Sequence, residues 1–410
     1  MSSSSPDVTF HTLFTILQRR SKKDMREVDD MGSRIVWGWI ACLVVCSGCV
    51  QRLTTRAGVH EPVWRFAVAG DSRNCGDVVM PMIAGRARQH EVEFYWHLGD
   101  FRWMTDVDED MRQQYQGTLP LEAYRRVAWG DFIADQVAPF GSLPVYLGIG
   151  NHELYKDGDR VKSHADYVTQ FAYWLDAPAI HAQRLRDEIP SDVLTAYYHW
   201  QQHGVDFIYL DNSGEEGFEP RQVEWLDRVL AADRSDPQVR ALVVGMHRAL
   251  PNSLACGHSM NGDKGNERPA SISSGRQAYQ ALLQWNRASG KPVYVLASHS
   301  HYFMAGIFDT PYWAKRGVLP GWIVGTAGAR RYPLPENLPP ATDAKTFVYG
   351  YLLGTVMDDG EVQFQFEELR EPDVPPEVIA RFGLPFVEQC FRENSDRGTP
   401  APPPDSCHEE

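Results

Sequence analysis

The sequence predicts a mixed α/β fold in which stacked β-sheets are flanked by helices. Apolar runs of strand length recur from residue 64 onward, and in much of the chain they alternate with segments of helical periodicity. The last runs follow one another closely, which is typical of antiparallel strands. A chain of 410 residues, 43% of them hydrophobic, can bury one large core or two smaller ones.

Apolar runs bounded by turn-forming residues are predicted as strands. They are residues 64–69, 93–98, 144–149, 196–201, 205–210, 241–246, 292–297, 322–326, 347–357 and 362–366. His203-Gly204 separates two of these runs, and Asp358-Asp359-Gly360 is a strong turn signal between the last two. Both places are therefore expected to be β-hairpins.

Helical periodicity covers residues 220–232, where apolar side chains recur on one face, and residues 276–288. Two longer polar inserts, residues 101–142 and 156–190, are expected to be largely helical and irregular. The helices are expected to cover the outer faces of the sheets, because each has only one apolar face to bury.

The N-terminal region contains an apolar stretch, residues 35–48, which is too short to span a bilayer comfortably, since a membrane helix needs about 20 residues. Its length and the positive Arg34 in front of it predict the hydrophobic part of an export signal. Met31 is therefore the expected native start, with residues 1–30 a non-native extension and residues 31–49 the signal.

The end of this signal, Cys46-Ser47-Gly48-Cys49, resembles a bacterial lipoprotein signal, in which small residues precede a Cys that becomes lipidated. This resemblance implies an exported protein, periplasmic or anchored to the membrane of a bacterial cell envelope through Cys49. An ordinary export signal and a buried segment remain alternatives, because Cys46 stands where an aliphatic residue is usual. Residues 50–62 are expected to form a tether.

The body of the chain is predicted to fold as one domain, residues 63–370. Residues 371–410 are predicted to be a partly disordered C-terminal extension, because their end is rich in Pro, Ser and charge. In an exported protein the cysteines of these regions can form two disulfides. The expected pairs are Cys75 with Cys256 and Cys390 with Cys407, and free buried thiols are the alternative.

The net charge of −14 argues against nucleic acid as a partner, because no basic stripe is present to displace counterions from phosphates. A small phosphorylated substrate remains compatible with this charge, since bound metal ions can hold an anion inside an acidic protein. The chain has no nucleophile-elbow, P-loop or dinucleotide-binding fingerprint. The sequence gives no indication of the oligomeric state.

Five short polar segments stand at the ends of predicted strands: residues 70–73, 99–100, 150–153, 245–247 and 298–301. Ligands of open α/β sheets bind at the carboxyl ends of the strands, so these segments are expected to meet there. Their candidate site residues are Asp71, Arg73, Asp100, Asn151, His152, His247, His299 and His301.

Each segment alone has an ordinary structural explanation. A single Gly-Asp is usually a turn, and His247 at the end of an apolar strand is more often a hydrogen-bonded core residue. Together they predict a metal site, because carboxylate and amide oxygens and imidazole nitrogens suit Mn, Fe, Zn or Ni. Two such ions about 3.5–4 Å apart can clamp a phosphoryl group and lower the pKa of bound water toward ~7.

The order of these segments resembles the pattern of calcineurin-like metallophosphoesterases, which is D-x-H, GD, GNH, H and GHxH, over residues 64–366. The resemblance implies a four-layer α/β/β/α sandwich of two mixed sheets flanked by helices. It also implies two divalent metal ions and hydrolysis of phosphate esters by a metal-bound hydroxide. Residues 150–153 are distantly similar to purple acid phosphatases, but Trp103 replaces their iron-binding Tyr, so their colour is not expected.

The family's ligand roles are carried onto matching positions. Asp100 would bridge both metal ions, and Asp71 and His301 would bind the first. The second metal ion would be bound by Asn151, His247 and His299. His152 would not bind metal but would protonate the leaving-group oxygen or stabilise the charge of the transition state.

Two residues depart from the family pattern. Arg73 replaces a histidine ligand and cannot bind metal because it stays protonated, so it is expected to contact the substrate phosphate or pair with an acidic neighbour. Ser298 replaces a glycine. His258, in a Gly/Asn-rich loop, is a further candidate for the substrate pocket. The alternative function is a non-catalytic or single-metal binding protein on a degenerate version of this fold, and a third is an envelope lipoprotein that contacts partners.

Overall fold

The computed structural model describes residues 60–157, 160–190, 193–262 and 266–398. The predicted N-terminal extension, the export signal with Cys49 and nearly all of the tether lie outside these residues. All the described residues belong to one compact unit, Gly58–Glu410. Among the described helices, none combines the length and apolarity that a bilayer crossing requires.

The first sheet is mixed and has five strands. In spatial order they are β14 (Val362–Leu369), β13 (Tyr349–Met357), β1 (Pro62–Ala69), β2 (Tyr95–His97) and β3 (Val145–Leu147). Strands β1, β2 and β3 are parallel, whereas β13 and β14 are added as antiparallel strands at the other side of β1. The carboxyl ends of β1, β2 and β3 therefore meet at one edge of this sheet.

The second sheet is also mixed and has seven strands. Their order is β12 (Ala344–Lys345), β10 (Phe303–Ala305), β11 (Gly321–Val324), β9 (Val293–Ala297), β8 (Ala241–Met246), β7 (Val205–Leu210) and β6 (Tyr198–Gln202). Strands β7, β8, β9 and β11 are parallel to one another. A separate hairpin pairs β4 (Tyr155–Asp157) with β5 (Arg160–Lys162).

Helices occupy most of the connections between strands. They are α1 (Gly76–Gln89), α2 (Glu109–Gln114), α3 (Leu121–Asp131), α4 (His164–Gln170), α5 (Ala172–Leu175), α6 (Pro178–Arg186), α7 (Pro220–Ser235), α8 (Pro269–Ser289), α9 (Pro311–Ala314), α10 (Pro376–Phe382) and α11 (Leu384–Glu388). The long helix α7 connects β7 to β8, and the long helix α8 lies between β8 and β9. Both positions are expected for crossovers between parallel strands.

The two sheets pack face to face through aromatic side chains. Phe66 of β1 contacts Phe207 of β7 with ring centroids 5.0 Å apart, and Trp96 of β2 contacts Trp200 of β6 at 5.3 Å. Near the other edge, Trp322 of β11 lies 4.4 Å from Phe364. These large rings fill the space between the sheets and fix their relative position.

The second sheet is apolar on both faces. Along β7, Phe207 and Tyr209 belong to the core between the sheets, whereas Ile208 and Leu210 belong to a second core beneath α7 and α8. Leu226 of α7 is among the residues that line this outer core. Alternate residues of one strand therefore serve two cores, and the predicted fold of two mixed sheets flanked by helices is confirmed.

Every predicted strand lies in one of the two sheets, and both predicted hairpins are present. At the first turn, His203 and Gly204 have φ values of 48° and 85°, which a tight hairpin turn requires. The sequence does not predict α1. Buried residues occur on most faces of this helix, so it lacks a one-sided apolar pattern, and Pro81 lies inside it. The sequence prediction also lacks the three-residue strand β10 and the hairpin β4–β5.

The predicted cysteine pairs are wrong. Cys75 is bonded to Cys390, and Cys256 is also in a disulfide. Helices α10 and α11 pack onto the larger hydrophobic core through Val378 and Phe386, and Cys390 is thereby brought to the start of α1. This docking is a long-range contact that cysteine spacing does not indicate.

Replacing both Cys75 and Cys390 with Ser is expected to lower the free energy of unfolding by about 2–5 kcal/mol, because the bond closes a very long loop in the unfolded chain. The two cysteines are 315 residues apart. Urea unfolding of the double variant and the wild type measures this difference. An unchanged unfolding midpoint would show that the bond does not stabilise the domain.

A buried polar network lies on the outer side of the second sheet. His199 of β6 contacts Asp206 through Nδ1 at 2.8 Å and Asp187 through Nε2 at 2.7 Å. Burial lowers the pKa of His199, but these carboxylates outweigh burial and raise it to about 10. Burial and the neighbouring Asp206 raise the pKa of Asp233 to about 9. The folded chain therefore holds protons here that the unfolded chain releases.

Asp233 is expected to make stability fall with rising pH. Its raised pKa stabilises the fold fully below the unfolded value of about 3.9, and this stabilisation is lost as pH rises through about 9, at up to about 1.4 kcal/mol per pH unit. The variant Asp233→Asn should therefore show a flatter decline of unfolding free energy between about pH 6 and about pH 9.

Urea unfolding across that range measures the slope, with Asp227→Asn as a matched control because Asp227 is exposed on the same helix, α7. The control should keep the wild-type slope. Equal slopes in wild type and Asp233→Asn would contradict the assignment of the proton to this network.

Candidate metal centre

The polar segments after β1, β2, β3, β8 and β9 meet at the carboxyl ends of these strands. Backbone hydrogen bonds join neighbouring segments, from Asp71 N to the Gly99 carbonyl at 2.9 Å and from Ser298 N to the His247 carbonyl at 2.9 Å. The two sheets are joined where His299 N donates to Asp71 Oδ2 at 2.6 Å. The predicted ligands from both sheets therefore lie in one cluster.

Three site residues have a left-handed backbone conformation that residues other than glycine rarely adopt. The φ values are 61° for Asp71, 61° for Asp100 and 66° for His299. A Cβ atom on Gly150 would collide with the Asp100 carboxylate, so the glycine permits this close approach. Such strain persists only where the surroundings fix the conformation, and it is concentrated at functional sites.

The predicted second metal position has four converging donor atoms. His247 Nε2 lies 3.0 Å from Asn151 Oδ1, 3.0 Å from His299 Nδ1 and 3.3 Å from Asp100 Oδ1. Ligand atoms of Asp100, His247 and His299 all lie within 4.8 Å of one another. This mixture of oxygen and nitrogen donors fits a divalent transition metal ion.

The tautomer of His247 suits metal binding. Its Nδ1 lies 3.1 Å from the Leu98 carbonyl, an acceptor, and 3.0 Å from Ser298 Oγ. Nδ1 therefore carries the proton. The unprotonated Nε2 directs its lone pair toward the point where the other three candidate ligand atoms converge. Ser298, which replaces the family glycine, also donates to the Leu98 carbonyl at 3.0 Å and so helps to hold the segment in place.

The electrostatics of this position also suit a cation. Burial favours the neutral form of Asp100, but His247, His152 and Arg73 outweigh burial and hold its pKa well below the usual range. Burial, followed by His247 and Arg248, lowers the pKa of His299 well below its ordinary value. A charged carboxylate and a neutral imidazole are the forms that bind metal.

The predicted first position has a different arrangement. His301 Nε2 lies 3.2 Å from Asp71 Oδ1, as expected for two ligands of one ion. However, Nη2 of Arg73 lies 3.2 Å from the same His301 nitrogen, and Nε of Arg73 lies 3.8 Å from Asp100 Oδ2. The guanidinium thus contacts the atoms that the resemblance assigns to the first metal ion, and this donor set does not fit an ion while Arg73 stays there.

Glu153 holds two of the loops together, a role that the sequence analysis did not assign. Its buried carboxylate accepts backbone N–H groups of Asp100 at 2.8 Å, Phe101 at 2.7 Å and Gly150 at 2.7 Å. The loops that carry Asp100 and Asn151 are therefore fixed relative to each other. The signal was present, since Glu153 directly follows Asn151-His152 in the same short segment.

His152 and His258 lie at the partly exposed side of the cluster. His152 Nε2 is 3.8 Å from Asp100 Oδ2, and its ring meets the edge of Trp103 at 5.6 Å. Burial and Arg73 lower the pKa of His152 to about 3. His258 lies 5.8 Å from the His299 ring and 5.4 Å from that of Tyr332. All the candidate site residues are thus brought together.

Tyr332 is a further residue at the site that no sequence pattern indicates. Its ring stacks on His301 with centroids 4.0 Å apart. The Nδ1 atom of His301 donates to the Arg330 carbonyl at 2.5 Å, so the loop that carries Tyr332 also fixes the tautomer of His301. This loop lies about thirty residues beyond the last predicted ligand, and contains no metal-binding motif.

His97, the last residue of β2, packs behind the site. Its Nδ1 accepts the Gly99 N–H at 3.1 Å, and its Nε2 therefore donates to Ser72 Oγ at 2.9 Å. Ser72 in turn donates to Gln136 Oε1 at 2.6 Å. These hydrogen bonds fix the segment that carries Asp71 from the side away from the ligand cluster, and they do not involve the ligands themselves.

Similar folds occur in solved structures of low sequence identity. A purple acid phosphatase from yellow lupin seeds has 14% identity and a TM-score of 0.51, and the match covers 74% of this chain and 51% of that chain. A dimetal phosphatase from Danio rerio has 14% identity and a TM-score of 0.43, over 74% of this chain and 99% of that chain. PhoD has 13% identity and a TM-score of 0.44, over 81% and 78%.

This chain thus spans about half the length of the lupin phosphatase, and at this identity the likeness shows the fold alone. No curated protein matches the chain.

Two mixed sheets flanked by helices, with carboxylate, amide and imidazole groups gathered at their strand ends, define an α/β sandwich of the metallophosphoesterase class. The sequence model of the family described as calcineurin-like phosphoesterase matches residues 65–303. The chain belongs to the calcineurin-like phosphoesterase family, and the resemblance noted in its sequence is confirmed.

Replacing Glu153 with Gln is expected to weaken the site without removing a ligand. The amide nitrogen of Gln cannot accept an N–H, so at least one buried donor loses its partner, at a cost of about 1–3 kcal/mol in unfolding free energy. Affinity for Mn²⁺ should fall by about 10–100-fold, as is usual for groups that orient ligands.

Urea unfolding and calorimetric Mn²⁺ titration measure the two effects. Glu224→Gln, at an exposed position of α7, is the matched control and should change neither value. Wild-type metal affinity in Glu153→Gln would contradict the positioning role.

Proposed function

We propose that this protein hydrolyses phosphate esters with the help of bound divalent transition metal ions. The observation that carries the proposal is the convergence of Asp100, Asn151, His247 and His299 on one point. Family membership supports the same reaction class. Mn, Fe, Zn and Ni are the ions that this mixture of oxygen and nitrogen ligands favours.

When bound, such an ion withdraws charge from the phosphoryl oxygens and lowers the pKa of a coordinated water. The chain supplies the remaining groups. Asp100 and Asn151 offer oxygen ligands on one side of the cluster, and His247 and His299 offer nitrogen ligands on the other. Their conformations are fixed in advance by the strained loops and by Glu153, so little reorganisation accompanies binding.

His152 is proposed to act at the leaving group. It belongs to the partly exposed side of the cluster, 3.8 Å from Asp100 Oδ2, where a bound ester would extend toward solvent. From there its neutral ring would donate a hydrogen bond to the departing oxygen and so stabilise the charge that develops there. His258 is proposed to line the same pocket, since it lies beside His299 and Tyr332.

The proposed substrate is a small phosphorylated molecule. The net charge of −14 disfavours a polyanionic partner such as nucleic acid, whereas the local positive charge of Arg73 and a bound ion would attract a single phosphate group. Arg73 is 5% exposed, so its charge acts within the pocket rather than on the surface.

The dinuclear form implied by the resemblance would need a second ion at Asp71 and His301. The contact between Arg73 and His301 favours a second candidate, in which the centre holds a single metal ion. A single-metal centre is also compatible with a protein that binds a phosphorylated ligand without hydrolysing it. Turnover of an ester distinguishes such a binding protein from an enzyme.

We further propose that the protein acts outside the cytoplasm, as a periplasmic protein or as a lipoprotein anchored through Cys49. The disulfide between Cys75 and Cys390 supports an oxidising compartment, because such bonds are rare in the reducing cytoplasm. The predicted signal in residues 31–49 agrees with this proposal.

Replacing Asp100 or Asn151 with Ala is expected to lower the hydrolysis rate of an aryl phosphate by more than about 100-fold, since even groups that only orient metal ligands cost about 10–100-fold. Release of the coloured phenol in the presence of Mn²⁺ measures the rate. A chelator should abolish wild-type activity, and added metal should restore it.

Asp227→Ala is the matched control, because Asp227 is exposed on α7 and should leave the rate unchanged. Normal turnover in the Asp100 and Asn151 variants would rule out the proposed centre. No turnover by the metal-loaded wild type on monoesters and diesters would favour the binding protein.

A further inference from the structure

The side chain of Arg73 fills a position that other features of the site mark as one for a positive charge. Asp71 Oδ1 and Asp100 Oδ2 are both buried, and neither accepts a hydrogen bond from the described residues. Buried carboxylate oxygens without a hydrogen-bond donor strongly favour a neighbouring cation. The Arg73 guanidinium is that cation here, since its Nε lies 3.8 Å from Asp100 Oδ2.

The direction of the His301 lone pair decides whether a metal ion can bind at the first position. Because His301 Nδ1 donates its proton to the Arg330 carbonyl, Nε2 is the unprotonated nitrogen. That nitrogen would bind a metal ion at the first position, but it lies 3.2 Å from Nη2 of Arg73, a group that can only donate. The guanidinium therefore takes the lone pair that a metal ion would need.

Arg73 is also held firmly in this position. Its side chain is 6% exposed, and its guanidinium lies 5.3 Å from the centre of the Trp103 ring. A guanidinium stays charged in proteins, so Arg73 cannot reduce its repulsion of an incoming metal ion by losing a proton. A divalent ion that entered the first position would have to displace this charge or sit beside it.

We propose that the Arg73 guanidinium replaces the first metal ion, so that the centre binds one divalent ion at the second position and uses Arg73 as its other fixed positive charge. This inference rests on the proposed function for its role in catalysis, but the number of ions bound is independent of activity. It differs from the ligand set implied by the resemblance, in which Asp71 and His301 bind metal.

The experiment is to load the wild type and Arg73→His with Mn²⁺, remove free ion, count bound Mn by mass spectrometry, and record the electron paramagnetic resonance spectrum. The wild type should hold one Mn²⁺ per chain and show the six-line signal of an isolated ion. Arg73→His restores the family histidine, so it should hold two ions and show the signal of a coupled pair.

Two further variants locate the single ion. His247→Ala should lose it, whereas His301→Ala should still hold one Mn²⁺ per chain. Arg86→His is the matched control for the arginine substitution, because Arg86 is on α1 outside the site and should leave the wild-type count. These two ligand variants also decide the question if Arg73→His does not fold.

Two ions per wild-type chain with a coupled signal would overturn the inference and leave the proposed hydrolysis intact. Retention of the single ion by His247→Ala, or its loss in His301→Ala, would also overturn it. One ion per wild-type chain without turnover of any ester would support the inference and refute the proposed function, so the two failures are distinguishable.

Discussion

The site depends on the close approach of the two sheets at one end of the sandwich. Gly245 of β8 has no side chain, and a Cβ there would lie 2.5 Å from the Trp96 ring of β2. A Cβ on Gly70 would likewise lie 2.6 Å from the Ser298 Cβ atom. These two glycines let strands of different sheets approach where they end, which is why the Leu98 carbonyl can fix the His247 ring at 3.1 Å. Carboxylates from one sheet and imidazoles from the other then share one pocket.

This arrangement places several buried charges in contact, and each must be stabilised by another. The loops bring Asp71 and Asp100 into the interior in strained conformations, so the fold holds two carboxylates that water cannot solvate. Hydrogen bonds from His299 N and His152 N satisfy one oxygen of each. The other oxygens face a cation, which explains why the pocket favours positive charge even before a substrate is considered.

The sequence predicts the strands and the ligand cluster well for a common physical reason. Buried strands are apolar and end abruptly, so a polar residue such as Asp71, Asp100 or His247 directly after a strand stands out and can be placed at the carboxyl edge of a sheet. The contribution of Glu153 could not be predicted with the same reasoning, because it bonds to backbone groups rather than to a ligand. The contact of Tyr332 with His301 depends on a loop whose course no local pattern specifies.

The cysteine pairing, like the contact of Tyr332, depends on long-range packing that local sequence patterns do not predict. Cys75 meets Cys390 only because the C-terminal helices dock on the core beside α1, and that docking arises from scattered apolar residues such as Val378 and Phe386. Composition predicts a loose Pro-rich end for this extension but gives no indication of the helices α10 and α11 that precede it. Packing of this kind becomes visible only when the whole fold is present.

The substitution at residue 73 was visible in the sequence, but its consequence depends on side-chain length and direction. Ser72 is anchored toward His97 and Gln136 behind the site, so residue 73 must point to the front. An arginine there reaches past the position of a histidine ring and places its guanidinium between His301 and Asp100. It therefore removes a ligand and supplies a charge in one step. A single divalent ion together with this guanidinium still outweighs the two carboxylates, so an anionic phosphate would meet a positive pocket with only one metal ion present.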